Sequence, residues 1–370
     1  MATQSGTRRT YDSTVGVKLD MEDAIHLISP FDVPFLGTYG AEGGSALSSE
    51  DTSSKKVEWI EDELVPASDK VNMGSNINSS ATTLTVDNGG YFKANDLIRV
   101  DDELLTVSAV SGNNLTVVRG YGDTSGASHN DNAVVYILGT LPVEGADPVS
   151  GVNFQRVAKH NFTQIYQDEL EVTRSEEKAA KYGVSSEIAY QGGKRLKEAA
   201  IKMEQNLILG SRNEDTSNKK RSMGGLDYFI TSNVDSSTNT LTMAKINDQM
   251  QNSFDAGGNV SLLVVGGAQK RKINAFDADD IRFSQDENIR GAVVDFLDTD
   301  FGRVYVMLNR WVPSDMLFGL EPQYINLVWF DRWFMEALAK TGDRQQFQLI
   351  GESSMKVKNE KAHFKFNALT

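Results

Sequence analysis

The chain has 370 residues, 37 of them basic and 51 acidic, with a formal net charge of −14 and no cysteine. That charge would repel a phosphate backbone and argues against nucleic-acid binding as a primary role, while the lack of thiols excludes disulfide scaffolds, thiolate metal sites and cysteine nucleophiles. No apolar run approaches the ~18 residues of a membrane-spanning helix and the opening residues hold no signal-peptide core, so assembly in the cytosol with no membrane partner is expected.

Residues 1–54 read as an extended arm rather than a domain. They are rich in Ser, Thr, Gly and Asp and hold one apolar island, Ala24 to Leu36, in which Pro30 and Pro34 forbid a regular element. Phe31, Phe35 and Leu36 sit in that island, and such a segment calls for cover by another chain. Lys55 to Val65 then reads as a strand carrying Val57, Trp59 and, less regularly, Ile60 and Leu64, among an acidic edge of Glu58, Glu61, Asp62 and Glu63. Its expected partner is Val152 to Thr173, where Phe162, Ile165, Leu170 and Val172 give period-two character. Residues 55–74 and 140–174 would thus form a long hairpin, which is marginal in water unless a neighbouring molecule supports it.

Between the two strands the character changes. Thr82 to Val86, Leu97 to Val100, Glu103 to Val110, Asn114 to Gly120 and Ala133 to Leu138 are short β-branched runs separated by Asn, Asp and Gly turns. They predict a small all-β domain over residues 75–139, inserted at the hairpin tip.

The longest helical period follows, from Ser185 to Gly210. Ile188, Leu196, Ala200, Met203 and Leu207 fall on one face, and Lys194, Arg195, Lys197, Glu198, Lys202 and Glu204 occupy the rest. Ser185 or Ser186 is the expected cap, Gly210 the left-handed stop, and Gly192-Gly193 a bend or a close approach by a neighbour. Residues 211–221 read as an exposed polar loop, followed by a tight Gly224-Gly225 turn. Beyond it a helix at Ala244 to Phe254, a strand at Ser261 to Val265, a helix at Ala268 to Phe276 and strands at Val293 to Leu297 and Val304 to Leu308 fit one α+β domain. The remainder is strand-dominated: Tyr324 to Phe330, Phe347 to Ile350, Ser354 to Asn359 and His363 to Leu369.

No catalytic constellation emerges. His26, His129, His160 and His363 lie far apart without a second ligand at metal spacing. Ser261 to Lys270 lacks the Gly-Lys-Ser/Thr ending of a phosphate loop. The carboxylates Asp277, Asp279 and Asp280, and Asp295, Asp298 and Asp300, lack the pattern of a calcium loop and read as solvated turns. No cofactor, metal or catalytic residue is assigned.

Three stretches resemble the major capsid proteins of tailed bacteriophages, with the Hong Kong 97 fold: Ile28 to Leu36, Asn161 to Ile165 and Tyr182 to Gln205. The insert resembles small β modules of virion proteins through Phe92, Asp96, Glu103, Arg119-Gly120 and His129. The resemblance implies an α+β capsid fold with an N-arm (1–54), an E-loop (55–74 and 140–174), a peripheral domain (175–226 and 323–370) built on a spine helix (185–210), and an axial domain (227–322). It also implies self-assembly as pentamers and hexamers into an icosahedral shell that encloses double-stranded DNA without reading its sequence. A separate scaffold, a portal and decoration proteins are the further partners. The contacts expected between subunits are Phe31, Phe35 and Leu36 of the arm, Trp59, Glu61 and Glu63 of the hairpin, and Lys194, Arg195 and Lys197 of the spine. The alternative is another virion structural protein, a decoration or tail component.

Overall fold

The computed structural model describes residues 32–37, 47–145, 147, 151–179, 181, 183–238, 240–276, 295–340 and 342–370. Most of the arm, including Phe31 and His26, and the carboxylates Asp277, Asp279 and Asp280 lie outside these residues. The chain divides into two compact units, one of Ile60–Ala158 and one of the residues on either side of it. The chain enters through β1 (Ser48–Asp51) and β2 (Lys56–Glu61).

In the smaller unit, β3 (Ser68–Lys70), β4 (Thr83–Thr85), β5 (Asp96–Val100), β6 (Glu103–Ser111), β7 (Asn114–Val118) and β8 (Val134–Thr140) form one antiparallel sheet, in the order β3-β8-β5-β6-β7-β4. Alternation dictates it: Ile98 and Val100, Leu105 and Val107, and Leu115 and Val117 all turn inward on a core shared with Phe92 and Val135. Asp101 and Gly112, with φ of 50° and 60°, make the tight connections β5-β6 and β6-β7. The five strands read from the sequence all form; β3 was not foreseen, and it carries the sheet back beyond residue 75.

The return segment corrects the expected hairpin. It breaks at Thr163 into β9 (Val157–Phe162), which pairs with β2, and β10 (Gln164–Thr173), which joins a different sheet. Asn161 enforces the break: its Nδ2 donates to the carbonyls of Gly224 (3.0 Å) and Met355 (2.7 Å), while its Oδ1 accepts from the N–H groups of Phe162 and Gly224. The phase of β10 is Tyr166, Leu170 and Val172 inward, so Ile165, read with Leu170 and Val172, instead faces solvent.

A short helix, α1 (Arg174–Lys178), leads into α2 (Glu187–Leu209). Ser186 caps α2 by accepting from the Ala189 N–H, and the Glu177 carboxylate accepts from the N–H groups of Glu187 (3.0 Å) and Ile188 (3.2 Å). Its buried positions are Ala199, Met203, Glu204, Leu207 and Ile208. Leu196, expected on that face, is exposed, because the inward stripe deepens only in the last three turns. Gly192 admits the Met335 sulfur within 3.3 Å of where a Cβ would stand. Gly210 is not left-handed, having φ −59° and ψ 144°; a side chain there would run into the Asn206 carbonyl at 2.4 Å.

The expected loop 211–221 contains a small hairpin of β11 (Asn213–Asp215) and β12 (Lys220–Ser222). Then α3 (Leu226–Phe229), β13 (Val234–Asp235), α4 (Met243–Asp255), β14 (Leu262–Val265), α5 (Gly267–Ile273), β15 (Asp295–Thr299), β16 (Gly302–Leu308) and β17 (Leu317–Leu320) follow. The chain closes with β18 (Ile325–Ala337), β19 (Arg344–Val357) and β20 (Phe364–Phe366). The two C-terminal segments read as separate strands, Phe347 to Ile350 and Ser354 to Asn359, are one strand, β19. One sheet runs β1-β18-β19-β10, the other β13-β20-β17-β14-β16-β15. β14, buried at all four positions, lies parallel to β16 and antiparallel to β17. A core of Met203, Leu207, Met223, Phe318, Leu327 and Met355 joins α2 to both sheets.

Gly225 lies so close that a Cβ would come within 2.5 Å of the Asn206 carbonyl, whereas one at Gly193 meets open space. Gly225→Ala is therefore expected to lower unfolding stability by about 1–3 kcal/mol, and Gly193→Ala to raise it by about 1 kcal/mol or less, both read by chemical denaturation.

Candidate assembly surfaces

The stretch of the arm at residues 32–37 is bound to its own chain. Val33, Pro34 and Phe35 are buried, and the Phe35 N–H donates to Oε1 of Glu204 on α2 at 3.0 Å. The Trp311 indole N–H donates to the Asp32 carbonyl at 2.7 Å. Phe35, expected to meet a neighbour, is thus covered within the chain, and Leu36 beside it is half-buried.

The hairpin strand divides in the same way. Trp59 is buried, with its ring 5.8 Å from that of Phe229. Beyond Trp59 the exposure rises: Ile60 is 68% exposed and Leu64 93%. Between and beside them lie Glu61, half-buried, and Glu58, Asp62 and Glu63, exposed, with Arg156 reaching Asp62 at 3.3 Å. The result is an acidic edge with apolar residues standing out of it.

On α2, Lys194 and Lys197 are exposed and Arg195 is half-buried, bonded to Glu198 at 2.8 Å. These three fall in the shallow half of the helix, away from Met203 and Leu207. A groove of about 580 Å³ runs along its deeper half, lined among others by Ile165, Tyr166, Lys202, Gln205, Leu209 and Trp311. Lys202 there is bonded to Asp168 at 2.8 Å, so the groove holds an ion pair rather than a free acid and base.

Polar chemistry elsewhere is directed inward. In the smaller unit Glu103 is buried and accepts from the guanidinium of Arg119 at 2.6 and 2.7 Å and from the N–H groups of Ala127 (2.8 Å) and Gly120 (3.0 Å). His129 bridges it to Asp101, with Nε2 2.9 Å from Glu103 and Nδ1 2.7 Å from Asp101. Burial by itself would raise the Glu103 carboxyl, but Arg119 and the other donors outweigh it and hold the carboxyl at about 2. These bonds fasten the loop of residues 119–129 to β6. The other described histidines are likewise packed. His363 is buried, its Nδ1 accepts from the Glu321 N–H, and burial pushes its pKa down to about 4. His160 lies against Phe162, and burial lowers it too.

Asp298 pairs with Arg303 at 2.9 Å and Asp300 accepts from Asn247 at 2.6 Å. Among the described residues no three His, Asp or Glu side chains are placed to hold a metal ion. Gly266, beside the strand-to-helix turn, serves a close backbone contact, since a Cβ there would lie 2.8 Å from the Val312 carbonyl.

The fold is the Hong Kong 97-type capsid fold of tailed phages. The structure is similar to the capsid of Myoviridae phage XM1 (9% identity, TM-score 0.51, covering 96% of this chain and 100% of that one). It is similar to a chain of Microbacterium phage Oxtober96 (12% identity, TM-score 0.52, 97% and 98% covered) and to the capsid of an empty GTA particle (9% identity, TM-score 0.51, 98% and 99% covered). No curated protein matches the sequence. The family model described as SU10 major capsid protein matches residues 3–370, and the chain belongs to that family. It is a phage major capsid protein, a structural protein and not an enzyme.

Glu103, held near 2 when folded against an ordinary 4.5, contributes stability that is present above pH 4.5 and lost as the pH falls toward 2. The loss is on the order of 3 kcal/mol. Hydrogen exchange of the amides in β5 to β7 should accelerate through that window, and Glu103→Gln should weaken protection at neutral pH while flattening the acid response.

Proposed function

We propose that copies of this chain assemble in the host cytoplasm, as pentamers and hexamers, into an icosahedral head shell around double-stranded DNA. The observation that carries this reading is the ribbon of β2 and β9. A two-stranded ribbon is marginal in water alone, and Ile60 within this one and Leu64 just beyond β2 are largely exposed. In the shell, residues 1–54 serve as the N-arm, the ribbon of β2 and β9 as the E-loop, and the sheet of β3 to β8 as the inserted domain. The peripheral domain is α2 with the sheet β1-β18-β19-β10, and the axial domain is the sheet β13-β20-β17-β14-β16-β15, which takes β20 from the C-terminal stretch expected in the peripheral domain. The net charge of −14 suits a container whose wall does not adhere to its DNA. A separate scaffold, a portal and decoration proteins complete the particle.

The partner of the acidic hairpin edge is the basic strip of a neighbouring copy: Glu58, Glu61, Asp62 and Glu63 of one subunit face Lys194, Arg195 and Lys197 of the next. Each exposed pair contributes only ~0.2–1 kcal/mol, so the strip matters through repetition across the shell. Phe31 and Leu36 extend the same contact from the arm. Replacing Lys194, Arg195 and Lys197 together by Glu should leave a monomer with unchanged circular dichroism that forms no shells in electron micrographs. Normal shells from that variant would overturn the assigned contact.

A further inference from the structure

Glu204 is wholly buried on α2. Of the other buried carboxylates, Glu103 has Arg119 and Glu352 has Arg221, while Asp96 and Glu321 have neutral donors on both oxygens. Among the described residues no Lys, Arg or His pairs with Glu204, and its Oε2 has no hydrogen-bond partner. Its Oε1 accepts from the Phe35 N–H at 3.0 Å and from Nδ2 of Asn309 at 2.7 Å. Asn309 in turn accepts from the Trp311 N–H at 2.9 Å, and the Trp311 indole returns to the arm at the Asp32 carbonyl. Helix, loop and arm are closed into one ring of hydrogen bonds with a single carboxyl at its centre.

The charge state of that carboxyl decides how well the ring closes. With the arm docked, an ionised Glu204 is a charge in an apolar site with one oxygen unbonded, which is costly. The groups that face it do not offset this. The arm contributes the like charge of Asp32 and the loop the neutral Asn309 and Trp311, while Ala200, Ile201, Leu207 and Ile208 flank it on the helix. A protonated Glu204 still accepts both bonds through Oε1 and carries no charge. Lifting the arm would let water reach the carboxyl and favour its ionised form, so proton loss and arm release are linked.

We propose that Glu204 is a proton-linked latch for the arm: residues 32–37 are held on α2 while its carboxyl is protonated, and are released more readily once it ionises. Burial, opposed by the donors at Phe35, Asn309 and Leu36, raises the carboxyl to about 7 when the arm is docked. A carboxyl raised on docking favours docking below its released value of 4.5, and that advantage is lost as the pH rises from 4.5 through about 7. The latch therefore tightens in mild acid and loosens above neutrality. It is a property of the single chain and stands independently of the shell contacts.

Hydrogen exchange of the Phe35 and Leu36 amides tests it, on the full chain held unassembled and corrected for the intrinsic pH dependence of exchange. Between about pH 6 and about pH 8.5 the protection of these amides should fall roughly tenfold, while amides in β14 and β17 keep theirs. Glu204→Gln, neutral at every pH, should abolish the fall. Trp311→Phe, which removes only the indole bond, should lower protection at both pH values and leave their ratio unchanged. Equal protection of the wild-type amides at the two pH values, or an undiminished fall in Glu204→Gln, would overturn the proposal.

Discussion

The last turns of α2 are the place where the larger unit is joined. Met203, Leu207 and Ile208 are fully buried there against residues from both sheets, Phe318 and Leu320 from one and Leu327 and Met355 from the other. Side chains of this kind stabilise by ~1.5–3 kcal/mol each when buried, and removing one leaves a cavity that costs about 2–5 kcal/mol. Gly210 and Gly225 let the backbones that follow pack on the same turns, with the Gly225 N–H donating to the Gly210 carbonyl at 2.7 Å. The return strand, the arm and α3 all take their places from this one packed end. Asn161 fixes the strand from the other side, with every bond its amide needs to hold Gly224 and Met355 in place.

Within that frame the chain satisfies some surfaces and leaves others. Phe35 and Trp59 are covered by their own chain, and the buried Glu103 has Arg119 and His129 beside it. Ile60 and Leu64 are largely exposed, and so are Lys194 and Lys197 of α2. For a protein of a capsid family this division has a physical sense. The proposed assembly then rests on a few repeated surfaces, each contributing little by itself. Such surfaces can be broken and remade during growth of a shell, which strongly buried ones cannot.

Much of the fold was legible in local pattern. The helical period, the Ser186 cap and the short β-branched runs of the insert are all local signals, and they formed where they were read. What failed was decided by distant partners. Ile165 and Leu196 have the chemistry of core residues, but their faces are set by β19 and by the depth at which α2 rests. Gly351, between the two segments read as separate strands, lies within β19, and its missing side chain makes room for the Trp333 ring, 2.5 Å from where a Cβ would be. The parallel pairing of β1 with β18 spans some 280 residues, beyond any pattern in Ser-Ser-Glu-Asp. Gly210 was read as a left-handed stop, when the constraint on it is the Asn206 carbonyl. Of the candidate contacts, Phe35 and Trp59 gave no sign in the sequence that their own chain would cover them. Glu204, read with the charged side chains of α2, is instead buried, because the arm at residues 32–37 and Asn309 cover it from far along the chain.

The central claim is that the uncovered hairpin is made to be covered by another copy of this chain. The most direct measurement is an electron cryomicroscopy map of purified virions that contain it, at a resolution that shows side chains. The account predicts a shell built of this chain, with Ile60 and Leu64 of each subunit buried against its neighbour and the acidic edge beside Lys194, Arg195 and Lys197. A shell in which the ribbon of β2 and β9 projects into solvent, or one built of a different chain, would contradict it.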